Sequence, residues 1–285
     1  MKKLLTLLLA VFLSSIVPSS AFHADQGNHG FYTGDFKVGR PIGVAVAETA
    51  DAKFTALSLE SLSVGDNTSL SLSTDTDYSI TLFVKATTLP GASQTIFRKG
   101  NDTVDNTDIE YKLNFQDLGG AVYQFRAFIG DGTATTSVTA STFGNLSTGT
   151  WYFVTVIHDK TNDLLKISVN DGSFNTTAWA DGTLDSTTGF NIGVDSTTQY
   201  LNGEVDQFGF YKDENLSTAE VTSLYASGAG LAYCQLSGSL LTNLQAWWNL
   251  SETSGSRADS TASANTLTDN NTVTSSTGVT AGNCL

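Results

Sequence analysis

Cysteine occurs only twice, proline three times and histidine three times in 285 residues, and basic residues are outnumbered two to one by acidic ones, 14 against 28. Each scarcity excludes a class of chemistry. Three histidines, none spaced with the others as metal ligands, leave little room for a zinc centre or a catalytic triad, and His158 reads as a structural residue ending a core-type strand. A formal charge of −14 with no cluster of lysine or arginine repels nucleic acid and anionic lipid, so neither is an expected partner. Beyond the N-terminus no run is apolar enough to span a bilayer, so no membrane insertion is expected.

The N-terminus is the exception. Lys2 and Lys3 precede an apolar run from Leu4 to Val17, and Pro18-Ser19-Ser20-Ala21 follows with small residues at the positions a signal peptidase inspects. Residues 1–21 are therefore expected to be a cleaved secretory signal, placing the protein outside the cell, at its surface or in the periplasm. The competing reading, a membrane anchor, needs roughly 20 apolar residues, more than this run supplies. In the remainder, helix-period segments are nearly absent. Short Val, Ile, Phe and Tyr runs are punctuated by Gly, Asn, Asp, Ser and Thr, which indicates an all-β chain. Strands are expected at Phe54 to Val64, Tyr78 to Ala86, Thr95 to Lys99, Ile109 to Phe115, Val122 to Ile129, Trp151 to His158, Leu164 to Asn170 and Phe190 to Val194. Tyr78 to Val84 and Trp151 to Val156 alternate most clearly and should be central.

The most informative stretch runs from Gly203 to Tyr225. Strict alternation would place Val205, Gln207, Gly209 and Tyr211 on one face and Glu204, Asp206, Phe208 and Phe210 on the other. After a charged connection, Ser217 stands three residues before Glu220, the spacing of a capping box, so a helix of about three turns is expected near 217–227. Gly228 and Gly230 supply its stop.

This succession resembles the closing segment of laminin G-like domains in the concanavalin A-like superfamily of lectins, glucanases and pentraxins. There a Gly-x-x-Asp strand runs into a Leu-Ser-x-x-Glu-[Val/Ile]-x-x-Leu-Tyr helix, matched here by Gly203, Asp206, Leu216, Ser217, Glu220, Val221, Leu224 and Tyr225. The resemblance implies a two-sheet antiparallel jelly-roll sandwich over residues 22–233, with one short C-terminal helix. Such domains usually open with a Trp-x-Leu-x-Glu strand and an Asp-Ser-Ser-Gly-Asn-like turn. Here the turn-like residues stand at Asp25 to Gly30, while the strand-like ones appear at Trp248, Leu250 and Glu252, leading to Asp259-Ser260. The tail, 234–285, thus resembles the start of a second repeat. It is expected either to fold back and complete the sandwich, to form an extra hairpin or unfinished repeat, or to swap between chains. Trp247 and Trp248 alternate, so one should be buried and the other exposed. Cys234 and Cys284 are expected to pair in an oxidising compartment, closing a loop for which the chain-entropy model gives about 4 kcal/mol.

Related hydrolases, the laminarinase-like enzymes, carry Glu-x-Asp-x-x-Glu on one strand face. Glu204 and Asp206 begin that pattern, but Phe208 and Gly209 stand where the third acid would complete it, so no catalytic residue is assigned. The resemblance also makes calcium the candidate cofactor, with Asp25, Asp206 and Asp259 as candidate ligands, whereas Asp102, Asp105 and Asp108 read as a solvated loop. A sugar needs an exposed aromatic face with amides or carboxylates nearby, and Trp179, Tyr200 and Asn202, at predicted strand edges, are the candidates. The expected function is a secreted, non-catalytic module that recognises a polysaccharide or cell-surface glycan, with oligomers allowed. The alternatives are a structural or adhesive surface protein and a polysaccharide-degrading enzyme.

Overall fold

The computed structural model describes residues 49–72, 75–89, 91, 93–101, 108–195 and 199–279. Two antiparallel sheets form the sandwich. In spatial order the first contains Asn175–Ala178 (β10), Leu164–Val169 (β9), Trp151–Asp159 (β8), Tyr78–Ala86 (β3) and Gly203–Lys212 (β12). On the far side of β12, Ala52–Phe54 (β1) and Leu244–Trp248 (β13) pair with its two halves in succession. The second sheet runs Thr268–Asn270 (β14), Ser61–Val64 (β2), Phe190–Ile192 (β11), Gln94–Asn101 (β4), Asp108–Asp117 (β5), Tyr123–Gly130 (β6) and Thr135–Thr139 (β7).

The central strands β3 and β8 are covered on both faces. Ile80, Leu82, Val84, Val154 and Val156 belong to the core between the sheets. Phe83, Phe153 and Ile157 belong to a second apolar cluster with Val221 and Leu224 of the helix Thr218–Tyr225 (α1). Polar side chains on such strands are stabilised where they find internal partners. Ser79 does so, donating to the Glu214 carbonyl at 2.8 Å and accepting from Leu216 N–H at 3.0 Å. His158, buried at the end of β8, has Nδ1 2.7 Å from the Thr76 carbonyl.

The capping box forms: Ser217 Oγ accepts from Glu220 N–H and the Glu220 carboxylate accepts from Ser217 N–H at 2.9 Å. The helix is nearer two turns than three, because Ala226 and Ser227 already take left-handed conformations, at φ 45° and 57°, before Gly228 is reached.

Strict alternation fails in β12. The register to β3 shifts between Asp206 and Gly209, and Gln207 sits at φ 47°. One extra residue reverses the parity of everything after it. Val205, Phe208 and Phe210 therefore all enter the core between the sheets, while Tyr211 joins the outer cluster. Glycine is required opposite this bulge: Gly230 has φ 67°, and a Cβ there would meet Gln207 Oε1 and come within 2.8 Å of the Phe83 ring.

The expected strand from Phe54 to Val64 is also broken. Ala56–Ser58 forms a single 3-10 turn and Leu59 is left-handed, so the chain crosses from one sheet to the other between β1 and β2. β7, β10 and β14 were not expected at all; Thr135–Thr139, Asn175–Ala178 and Thr268–Asn270 carry too few apolar side chains to signal strands.

In the tail, β13 places Phe208 opposite Trp248 and Gly209 opposite Trp247. Both tryptophans are buried, 2 % and 0 % exposed, contrary to the expectation that one would face solvent. The layer containing α1 and residues 231–244 covers the outer face of this strand, so Trp247 has a second core to enter. Arg257 is buried, its guanidinium donating to the carbonyls of Gly255, Val273 and, at 3.4 Å, Thr274. At one end of the sandwich, Lys99 and Glu110, both fully buried, pair at 2.9 Å. Glu110 also accepts from Leu72 and Ser186 N–H, joining two loops. The leader at 1–21, Asp25, Asp102, Asp105 and Cys284 lie outside the described residues, and with Cys284 so does the expected pairing of Cys234.

Candidate functional site

The residues singled out for sugar binding are engaged within the fold to different degrees. Trp179 is 5 % exposed and donates its indole N–H to the Gly182 carbonyl at 2.6 Å, so it anchors a loop and offers no stacking face. Tyr200 is half-buried. Asn202 donates its amide to Thr88 Oγ1 at 2.8 Å, and neither residue shares a hydrogen bond or ring contact with Trp179.

Of the candidate metal ligands, the two among the described residues, Asp206 and Asp259, are likewise engaged within the fold. Asp259 accepts four hydrogen bonds, from the N–H groups of Trp247, Thr261 and Asn265 and from Thr261 Oγ1, which makes it the organiser of the turn after β13. Asp206 accepts from Val279 N–H at 2.7 Å. Among the described residues no group of three or more His, Cys, Asp or Glu side chains is placed to hold a metal.

Glu204 does have an acidic neighbour, one the strand sequence could not show. Asp51, fully buried beside β1, lies in the register that pairs Ala52 with Val205 and Lys53 with Glu204. Burial first, and then a hydrogen bond with Glu204, push the Asp51 carboxyl up to about 7. Glu204 is also ion-paired with Lys85, whose ammonium lies 4.6 Å from the Trp151 ring centroid. The returning segment 274–279 covers this row: Ser276 N–H donates to Asp51 at 2.7 Å, and Gly278 N–H to the Thr49 carbonyl at 2.8 Å. These buried acids pin β1 and the 274–279 segment against β12.

One exposed aromatic ring lies elsewhere. Phe128, Trp151 and Phe174 are partly exposed, but each already carries a cation of its own chain over its ring: Arg126 at 5.0 Å, Lys85 at 4.6 Å and Lys166 at 5.7 Å. Phe143, 38 % exposed, is the most exposed aromatic residue among the described residues. It sits in the connection from β7 to β8, held edge-on to Tyr152 at 5.5 Å and 87°. The Tyr152 hydroxyl in turn accepts from Ser147 N–H at 2.8 Å, fixing the loop's far end.

Phe143 walls a cleft of about 220 Å³ whose floor includes Ala140 and Val169. The opposite rim comes from the turn between β9 and β10. Asn170 and Asp171 take φ 51° and 57°, and Gly172 N–H returns to the Val169 carbonyl at 3.0 Å, a hairpin geometry that Asn-Asp-Gly favours. Asn175 joins the two rims: its Oδ1 accepts from Thr142 N–H at 3.2 Å and Thr142 Oγ1 at 2.7 Å, while its Nδ2 donates to Ser141 Oγ at 3.1 Å. The cleft opens beside the seam where edge strands β7 and β10 meet, tied by Thr177 Oγ1 donating to the Ser137 carbonyl at 3.1 Å. An apolar floor, one exposed ring and a rim of hydroxyl and amide groups are what a sugar face demands. Sequence reading passed over Phe143 because it searched strand edges; the signal present was an aromatic inside the polar run Ser141-Thr142-Phe143-Gly144-Asn145.

Two antiparallel sheets with one capped helix on an outer face define a lectin-type jelly roll. The chain belongs to the concanavalin A-like lectin/glucanases superfamily, a laminin G-type model of which matches residues 60–222. The strands at 52–54, 244–248 and 268–270 lie outside that match yet within the same two sheets. No curated protein matches the chain. Among solved structures it is similar to a Bacteroides ovatus protein provisionally named as carbohydrate-binding, with TM-score 0.58 and 17 % identity over 81 % of this chain; the match spans 60 % of that protein. It is also similar to the native heptameric SAP-like pentraxin of Limulus polyphemus, with TM-score 0.52 and 14 % identity, covering 81 % of this chain and 94 % of the pentraxin. At these identities the likeness is one of fold.

Proposed function

We propose that the protein is an exported, non-catalytic glycan-binding module and that the Phe143 cleft is where the sugar docks. The single observation that carries this reading is the exposed Phe143 ring facing a cleft rimmed by Thr142, Ser173 and Asn175. The superfamily and the carbohydrate-binding name of the Bacteroides ovatus protein support it at the level of fold and class. Among the described residues the cleft's lining contains no titratable side chain, so the docking site offers no acid, base or nucleophile from them. Export is supported by the Lys2-Lys3 and Leu4 to Val17 leader.

The cleft is smaller than the roughly 300 Å³ at which drug-sized pockets begin, so it suits a single sugar ring. At about 0.3 kcal/mol per heavy atom, a ring of about 12 such atoms gains about 3.6 kcal/mol, a Kd on the order of 1 mM. Binding is therefore sought on a multivalent glycan array, where avidity raises weak affinities. The test compares the protein with Phe143→Ala on such an array, with and without a calcium chelator. Retention of wild-type that is lost in the variant supports the reading; no retention of wild-type on any glycan contradicts it.

A further inference from the structure

The chemistry of the cleft goes further than "a sugar". Resting on the glycan-binding reading above, we infer that the Phe143 cleft selects a neutral sugar residue and discriminates against uronate, sialyl and sulfated units.

Among the described residues the lining supplies hydroxyl, amide and hydrocarbon, and neither a cation nor a paired carboxylate. A sugar carboxylate or sulfate entering it would lose water and gain no ionic partner, a penalty that neutral hydroxyls do not face. The charged residue next in sequence to the lining is of the wrong sign. Asp171 stands beside Gly172 at the tip of the β9–β10 turn, its carboxylate accepting from Thr222 Oγ1 at 3.0 Å. The chain as a whole carries −14, so no long-range field offsets this local deficit. The cations nearest an aromatic ring, Arg126, Lys85 and Lys166, are already placed over Phe128, Trp151 and Phe174.

The groups that remain match a neutral pyranose. Asn175 Oδ1 already accepts two bonds within the loop, and Nδ2 spends one hydrogen on Ser141. Its other N–H can donate, so the amide offers a donor to a sugar oxygen, and the exposed Ser173 hydroxyl can donate or accept beside it. Phe143, Ala140 and Val169 face the C–H side of the ring. The ligand class is thus an uncharged hexose or N-acetylhexosamine unit, read one ring at a time.

The test is a panel of immobilised neutral oligosaccharides beside galacturonate-, sialic-acid- and sulfate-bearing ones, at low and high salt. It uses the full chain, Phe143→Ala, and Ser173→Lys, which adds a cation at the exposed rim. Wild-type should bind neutral glycans with little salt dependence, and Phe143→Ala should lose at least about tenfold, with circular dichroism unchanged. Ser173→Lys should gain salt-sensitive binding to the acidic glycans. Salt-sensitive wild-type binding to acidic glycans that needs Phe143 would overturn the neutral selectivity while leaving the glycan-binding reading intact. Neutral binding that survives Phe143→Ala would overturn the site. Binding to no glycan at all would remove the underlying reading itself.

Discussion

Trp248 and Phe190 stack face to face between the two sheets, ring centroids 5.4 Å apart and 6° from parallel. Trp248 belongs to β13 of one sheet and Phe190 to β11 of the other, so this pair ties the tail into the core. The Trp248 indole also donates to the Asn265 carbonyl at 2.7 Å.

Replacing Trp248 by Ala removes a fully buried side chain and leaves that carbonyl without its partner. The expected loss is about 3–5 kcal/mol, read as a lower urea midpoint with the slope retained. A loss under about 1 kcal/mol would mean that β13 does not hold the sandwich together.

The bulge at Gln207 makes a second prediction. Gly230→Ala puts a Cβ against Gln207 and Phe83 at a position with φ 67°. Left-handed strain and steric conflict act together, so the variant should lose about 2 kcal/mol or more. Gly255→Ala is the control: it has a positive φ of 76° but nothing within 4 Å, so it should pay only the backbone cost. Equal losses in the two variants would remove the steric part of the argument.

Two buried acids set a pH dependence. Burial raises Glu110 to about 7 against the pull of Lys99, and burial together with Glu204 raises Asp51 to about 7. In the unfolded chain both titrate near 4. Between those values the native state holds more protons than the unfolded one, so stability falls as pH rises from about 4 to about 7 and then levels. The melting temperature should accordingly be higher at pH 5 than at pH 8. Asp51→Asn, which keeps a hydrogen-bonding group of the same size beside Glu204, should flatten part of that slope. A melting temperature that climbs across this range would contradict the assignment.

Much of the architecture was legible because it rests on local rules. The Ser217 and Glu220 capping box and the alternation in Tyr78 to Val84 each specify their own geometry. What was not legible depends on neighbours distant in sequence. The bulge at Gln207 reverses the side chains after it, and nothing in Glu204 to Tyr211 announces an extra residue. Asp51 reaches Glu204 only because β1 and β12 pair. Trp179 looked like a platform because strand-edge position and residue type are visible in sequence, whereas its bond to Gly182 is not. Phe143 was missed for the complementary reason: exposure of a loop ring depends on Tyr152 turning its edge toward it.

Phe143 itself should matter little to the fold. Its ring is partly solvated and touches Tyr152 from one side, so Phe143→Ala should cost about 1 kcal/mol or less, checked by the same urea titration. A loss like that of Trp248→Ala would make Phe143 a core residue and weaken its role as a platform.

The most direct test maps where a sugar touches. Amide shifts of isotope-labelled protein, followed while the neutral glycan best retained on the array is added, should move at residues 140–143 and 169–175 and return to unbound values in Phe143→Ala. Shifts confined to another surface, such as the face bearing Phe128 and Arg126, would contradict the cleft as the binding site.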